Sequence, residues 1–387
     1  MLRRPSRTTV FTATATALSL LGDQALYALL PLYFQEIGLL PIHVGILLSV
    51  NRWIRILTNH LAMQLVERFP LNQMFVLSLV IGALVSLAYA FISSFVVLLV
   101  ARCLWGLCWS LIRHIGVISV TSSTESQNLG QMMGYYNGIY HIGCVIGIVL
   151  GGVMFDLIGF SKTLALFCFL SLFALPFAIK SRLQPSRNIG DSEINNQPSS
   201  RFLSLHCCGF CIDSVGPGLI MSTLGLILLS RYGNEVNLMG FVMGIATLNS
   251  LLLGSRWIVE TLGAPIYGSF IDQTGTHIGA PICFLIGLIV MFLIYLSENL
   301  LGLAFGVIIF FICGTALKTI ISAEASRLGS KVFARYVTAS DLGAAFGPVI
   351  GWGAYELIET PNFVFILGAA LYAIGMFSSY RAFKLEK

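Results

Sequence analysis

The chain has 387 residues, 57% of them hydrophobic and only 10% charged, with a mean hydropathy of +0.87. Soluble domains carry about 25% charged residues, so this chain cannot cover a water-facing surface of its own size. That excludes a soluble enzyme, a nucleic-acid-binding protein and a disulfide-stapled secreted module. The net charge of +5 is spread over loops and forms no single basic patch. At about 20 apolar residues per crossing, the length accommodates roughly ten to fourteen membrane spans.

The opening residues, MLRRPSRTT, look like the basic start of a signal peptide. No small-residue cleavage site closes the apolar stretch, and further spans follow, so the segment reads as a retained first helix. Hydrophobic runs predict twelve helices, at 10–35, 40–66, 72–92, 94–120, 127–157, 160–181, 203–231, 236–262, 278–297, 300–325, 332–358 and 362–382. One connection alone is long and polar, from Ser181 to Phe202, and its Pro, Ser, Asn and charged residues read as a flexible cytoplasmic linker. It separates a six-helix bundle at 1–181 from a second at 203–387, with the linker itself at 182–202. The expected architecture is an all-α polytopic membrane protein.

With the N-terminus inside, fourteen bases collect on the inner side: Arg3, Arg4, Arg7, Arg68, Lys180, Arg182, Arg187, Arg201, Arg327, Lys331, Arg335, Arg381, Lys384 and Lys387. Lys162 and Arg231 alone fall outside. This asymmetry predicts cytoplasmic termini and an even number of spans. The short loops and basic start suit the inner membrane of a prokaryote. All nine cysteines lie in apolar stretches, so no disulfide is inferred. The run His206-Cys207-Cys208-x-x-Cys211-x-Asp213 has no second ligand cluster to complete it, and no metal site is expected.

Matched features recur in the two halves. Asn51-Arg52-Trp53-Ile54 answers Ser255-Arg256-Trp257-Ile258, and Asp23 answers Asp213. Ser110-Leu-Ile-Arg113 answers Thr315-Ala-Leu-Lys318. Gly143, Gly147 and Gly151 answer Gly343, Gly347 and Gly351. Four matches in one order predict a parallel six-helix repeat.

On these residues the chain resembles the major facilitator superfamily (MFS) of secondary transporters. Gly268-Ser-Phe-Ile-Asp272-Gln273-Thr-Gly275 is similar to the family's loop motif between helices 2 and 3. Its first-half copy, Met63-Gln-Leu-Val-Glu67-Arg68-Phe-Pro70, keeps an acid and a base without the glycines. Arg102-Cys-Leu-Trp-Gly106 looks like a helix-4 element of the family. The segment from Gly143 to Gly152 resembles an exporter element with Ile148 where the family has proline, and helix 11 supplies that proline at Pro348. The stretch from Asp23 to Pro31 is similar to an element of drug–proton antiporters. The resemblance implies two six-helix bundles around a cavity that opens alternately to each side. It implies gating roles for Glu67, Arg68, Gly268, Asp272 and Gly275, and helix-packing roles for the two glycine series and Pro348.

Six bases lie inside helices: Arg52, Arg55, Arg102, Arg113, Arg256 and Lys318. Each costs about 2.5–3.5 kcal/mol at mid-membrane and should face a cavity or a counter-charge. Arg52 and Arg55 share a face of helix 2. Arg102, Gly106, Trp109 and Arg113 share a stripe of helix 4, so a cavity-facing Arg102 implies a cavity-facing Arg113. Arg52, Arg55, Arg113 and Lys318 are the candidate substrate contacts, with Tyr136, Tyr140 and Asn137 on helix 5; for the helix-5 residues the alternative is interhelical hydrogen bonding. Asp23, Asp213, Asp341 and Arg102 are the candidate proton-coupling groups. For Asp23 the alternative is a permanent salt bridge to Arg52 or Arg55, and Arg256 and Glu260 can satisfy one another at i and i+4. Glu125 is grouped with the inner-face salt bridges.

No phosphate-cradling loop and no nucleophile–His–acid arrangement is present, so neither ATP, another cofactor nor enzymatic catalysis is expected. The leading expectation is a monomeric, proton-coupled transporter of a small organic anion or zwitterion, with lipid and the proton gradient as its other partners and no nucleic acid. An exporter of amphiphilic drugs or metabolites is the alternative. From another class, a non-transporting membrane receptor or assembly protein on the same scaffold remains open, as does a lipid flippase.

Overall fold

Lipid offers no partner for backbone N–H and C=O groups, so a spanning chain must satisfy them inside helices or a closed barrel. This chain takes the helical course. The computed structural model describes residues 4–124, 128–181, 183, 199–238, 240–274 and 276–384, excepting the side chains of 199, 200, 238, 264–274, 276, 277, 330 and 384. Among them are α1 (Arg7–Tyr33), α2 (Pro41–Arg68), α3 (Leu71–Phe91), α4 (Phe95–Thr121), α5 (Leu129–Ile158) and α6 (Phe160–Lys180). After the linker come α7 (Ser199 to Tyr232), α8 (Ile245–Thr274), α9 (Thr276–Leu296), α10 (Leu300–Arg327), α11 (Ser330–Ile358) and α12 (Phe363–Lys384). The sequence expectation of twelve long helices therefore holds among the described residues. Nine are long and apolar enough to cross a membrane by composition among the described residues. The other three, α2, α8 and α11, carry Arg52 and Arg55, Arg256 and Glu260, and Asp341.

The eighth predicted helix begins later than expected. Residues Glu235–Leu238 and Phe241–Gly244 form an antiparallel hairpin (β1 and β2) with Val236 opposite Met243. The reason is turn chemistry: Gly240 sits at φ 92°, and its N–H donates to the Asn237 Oδ1 at 2.9 Å. Helix α8 then runs on to Thr274, past the expected end at 262.

Two helices are broken where the chain does local work. At the start of α1, the Ser6 hydroxyl accepts from the Thr9 N–H at 3.0 Å as an N-cap. The helix tightens at Leu20, whose N–H reaches the Ala17 carbonyl, and restarts with Asp23 in its new first turn. An acid there complements the helix dipole. In α7, Pro217 has no N–H to donate and lies between Gly216 and Gly218, and the helix widens to a π turn over Ser214–Ile220.

Helices in lipid associate by close packing, and small residues let their backbones approach. A Cβ on Gly147 would lie 2.8 Å from the Leu21 carbonyl oxygen, and one on Gly151 would lie 2.8 Å from the Ala25 Cβ. Gly143 meets the Ala17 backbone, so the whole series on α5 rests on α1. On α11, Gly343 meets Phe210, Gly347 meets Ser214 and Gly218, and Gly351 meets Leu219 and Thr223, all on α7. The Trp352 indole, fully buried, donates to the Ser222 carbonyl at 3.0 Å in the same seam.

The described chain divides into two compact units. The first comprises 1–39, 50–189 and 246–254, and the second 40–49, 190–245 and 255–387. Helices α2 and α8 thus each contribute a short N-terminal stretch to one unit and their remainder to the other.

Gly347→Leu should overpack the α7–α11 seam and cost about 1–3 kcal/mol. Thermal unfolding in detergent checks this, with Gly353→Leu, whose Cβ would meet only Ile42 at 3.6 Å, as the milder comparison.

Candidate functional site

In the first unit, Asp23 of α1 and Arg102 of α4 form an ion pair with Nη1 donating to Oδ1 at 2.5 Å. Their side chains are 9% and 1% exposed. The Gln24 amide donates to the second oxygen of Asp23 at 3.2 Å. Tyr27, one turn further along α1, has the guanidinium groups of both Arg102 and Arg52 at 5.6 Å from its ring centre. Asp23 and Arg102 line a small recess with Ser86, Tyr89 and Trp105. The bonded partner of Asp23 at 2.5 Å is thus a base 79 positions away in the chain, not one of the helix-2 arginines considered from sequence.

The helix-4 stripe does not behave as one surface. Arg102 is 1% exposed, whereas Arg113 is exposed, although eleven residues separate them by almost three whole turns. Between them Gly106 packs against Ile54 and Asn51 of α2. Equal azimuth gave unequal environments: Asp23 and Tyr27 of α1 stand against the Arg102 guanidinium, whereas Arg113 is exposed.

Arg52, Arg55, Asn137 and Tyr140 are half-buried. Tyr136 is 4% exposed, and its hydroxyl lies 3.2 Å from the Thr16 hydroxyl, over Gly116, an interhelical contact. Its ring begins an aromatic chain: Tyr136 to Tyr140 at 5.6 Å, Tyr140 to Trp109 at 6.4 Å, Trp109 to Trp105 at 6.3 Å. Trp109 lies on the helix-4 stripe read from the sequence; Trp105, one turn before it, is the ring that reading left without a role, and the i, i+4 spacing of the pair is its signal.

The second unit has its own charge cluster. Glu260 of α8 accepts from the Lys318 ammonium of α10 at 3.1 Å and lies 3.5 Å from the Arg256 guanidinium. Arg256 also stands 4.8 Å from the Trp257 ring centre. Asp213, 8% exposed, ends the first segment of α7 at the π turn and feels the charges of Lys318, Arg256, Glu260 and Asp341. Asp341 is half-buried on α11. Glu260 is the residue whose reach the sequence understated: its i, i+4 relation to Arg256 is visible, but Lys318 is 58 positions distant.

At the helix ends, Glu67 and Arg68 are exposed. The backbone of Gly268 and Asp272 continues α8, while their side chains, together with Gly275, Glu125 and most of the linker, lie outside the described residues. Pro348 is inside α11, and its carbonyl would lie 2.9 Å from a Cβ on Gly45. Arg201, counted with the inner loops, is instead buried and pairs with Glu324 at 2.5 Å. Arg231 is also structural: its guanidinium donates to the Ile294 and Ser297 carbonyls, at and just beyond the C-terminus of α9, and to Asn362.

Twelve helices in two related sets, with ion pairs embedded in each set, define a polytopic membrane protein. The Major Facilitator Superfamily profile matches residues 12–348, and the chain belongs to that family. It is 21% identical over 345 residues to the chromaffin granule amine transporter of Rattus norvegicus, covering 84% of this chain and 63% of that protein. It is 23% identical over 352 residues to the synaptic vesicular amine transporter of Mus musculus, covering 84% and 64%. The chain thus spans just under two thirds of the length of these relatives. Among solved structures, a mutant form of the nucleoside transporter NupG is similar with a TM-score of 0.78 at 13% identity, over 97% of this chain and 100% of that one. The human organic anion transporter MFSD10 is similar with a TM-score of 0.64 at 16% identity, over 96% and 99%. These structural likenesses concern the fold.

Breaking a buried pair leaves an uncompensated charge, which costs about 3–5 kcal/mol. Arg102→Ala should therefore lower thermal stability strongly, and Asp23→Ala combined with Arg102→Ala should recover part of the loss. A double-mutant cycle by thermal unfolding in detergent checks this, and additivity would refute the pairing.

Proposed function

We propose that this protein is a proton-coupled secondary transporter of a small zwitterion, a solute bearing both an anionic group and an amine. The carrying observation is the unequal distribution of embedded charge. In the first unit four bases, Arg52, Arg55, Arg102 and Arg113, stand against one acid, Asp23. In the second, Arg256 and Lys318 stand against Asp213, Glu260 and Asp341. Desolvated charge demands a counter-ion, so the basic set favours a carboxylate or phosphate and the acidic set favours an ammonium. The similarity to amine transporters supports the second half of that reading.

Within the basic set, Arg102 has Asp23 at 2.5 Å, which turns the substrate role towards Arg52, Arg55 and the exposed Arg113. Proton coupling belongs to Asp213, which feels Lys318 and Arg256 together with the acids Glu260 and Asp341, and to Asp341 itself. Tyr140 and Asn137 then flank the solute's apolar body, while Tyr136 stays in its contact with Thr16. The fourteen-to-two distribution of bases supports cytoplasmic termini in a prokaryotic inner membrane, with the six-helix sets at 1–181 and 203–387 joined by the linker at 182–202. The second reading, export of amphiphilic amines, is supported by the aromatic chain from Trp105 to Tyr136, since ring faces attract cations.

The test is ligand-dependent thermal stability of the purified protein with amino acids, dicarboxylates, phosphorylated solutes and lipophilic amines, followed by uptake into proteoliposomes under an imposed pH gradient. Stabilisation by zwitterions, weakened about tenfold or more in apparent Kd by Arg113→Ala, supports the main reading. Stabilisation by lipophilic amines alone, insensitive to Arg113→Ala and sensitive to Trp109→Ala, replaces it with the second. For coupling, Asp213→Asn and Asp341→Asn should abolish uphill uptake while exchange of solute across the membrane persists. Uphill uptake retained by both variants removes the coupling assignment.

A further inference from the structure

The hairpin between α7 and α8 has a covered base and a bare tip. Strand residues alternate between faces, so Val236, directly opposite Met243, shares a face with Phe241, two positions before Met243. Val236 is 7% exposed and Met243 half-buried, whereas Phe241 is 77% exposed. Protein therefore covers this apolar face at its base and stops short of the tip. Val242, opposite Asn237 on the other face, is 68% exposed. A two-stranded hairpin is marginal in water by itself, and two bare apolar side chains at its tip add to that cost unless something covers them.

The neighbours of the hairpin fix its level. The Arg231 guanidinium donates to the Ile294 and Ser297 carbonyls, and the Tyr232 hydroxyl donates to the Glu298 carbonyl at 3.0 Å. The end of α7 is thereby level with the connection from α9 to α10. Just before that connection α9 exposes Leu293 and Leu296, and just after it α10 exposes Leu301 and Phe305. These helices thus present apolar surface to acyl chains right up to the turn, which places Tyr232 at the boundary with the headgroups, a usual position for tyrosine. Only Gly233 and Asn234 separate Tyr232 from β1, and Gly233 turns the chain off the helix axis at φ 76°. A four-residue strand reaches about 14 Å, so the tip stays close to that boundary.

Two further observations select the occupant. Phe241 and Val242 leave opposite faces of the hairpin, so a flat protein surface can cover one of them and not both, whereas fluid acyl chains surround a tip. From Gly233 to Ile245 the chain carries one ionisable residue, Glu235, and no base, so nothing in the hairpin itself attracts an anionic headgroup. We propose that Phe241 and Val242 form a lipid-binding tip that inserts into the headgroup–acyl boundary of the leaflet at the end of α7, and anchors the α7–α8 connection there by apolar burial. The hairpin belongs to neither charge cluster, and the anchor does not depend on which solute the protein carries.

Phe241→Trp and Val242→Trp in single-copy lipid nanodiscs test this, with emission read as the excess over the native protein because five tryptophans are already present. Lipids brominated on acyl carbons near the glycerol should quench most of the added emission at both positions, and aqueous iodide should quench little. The result should be the same in zwitterionic and anionic discs. Emission quenched by iodide and spared by brominated lipid puts the tip in water and overturns the proposal. Emission spared by both quenchers puts the tip under protein and also overturns it. Quenching that requires anionic lipid overturns the apolar mode of insertion. Independently, Phe241→Ser combined with Val242→Ser should speed hydrogen exchange in a peptide covering 235–244 by roughly threefold or more, with exchange elsewhere and the melting temperature unchanged. A native exchange rate in that peptide removes the anchor.

Discussion

An ion in hydrocarbon must find a counter-ion, and much of this molecule is arranged around that demand. Asp23 meets Arg102, Glu260 meets Lys318 and Arg256, and Glu324 meets Arg201. These groups lie on α1, α4, α7, α8 and α10, while α3 and α9 carry no Asp, Glu, Lys or Arg at all. The uncharged helices instead expose Leu77, Leu84, Ile286 and Phe292, as a lipid-facing surface should. Composition thus sorts the helices into those that carry chemistry and those that wall it off. Three charge-bearing helices, α2, α8 and α11, consequently look too polar to span on their own.

The second constraint is contact between backbones. Without a hydrophobic drive between helices in lipid, attraction comes from close approach, and the glycines of α5 and α11 provide it against α1 and α7. The π turn of α7 belongs to the same seam, because Gly218 within it faces Gly347 so closely that a Cβ added to Gly218 would lie 2.8 Å from the Gly347 Cα. Asp213 sits directly before that turn. A widened helix is a place where backbone geometry departs from regularity, and here it adjoins the most buried acid of the second charge cluster. Packing and candidate chemistry are therefore joined in one segment.

Periodicity and hydropathy suffice to read the twelve helices, because a span must be about 20 apolar residues long whatever its neighbours. The matched arginines, glycines and acids likewise announce the repeat, since equivalent places in two bundles face equivalent demands. The hairpin at 235–244 escaped that reading: its residues are as apolar as a helix end, and only Asn237 and Gly240, through their turn, decide against helix. The candidate site was legible as a set of residue types. Its pairings were not, because Asp23 with Arg102 and Glu260 with Lys318 are separated by 79 and 58 positions.

By itself the sequence determined that this chain lives in lipid, crosses it with twelve helices in two related sets, and carries ions that need partners. These follow from local composition and from the fixed cost of polar groups in hydrocarbon. Only the tertiary structure decided which ions meet, why Arg102 is sealed while Arg113 on the same stripe is open, and why residues 40–49 and 246–254 pack apart from the rest of their own helices. Those outcomes depend on which neighbouring helix covers a given depth, and helix periodicity specifies a direction around an axis without specifying what stands there.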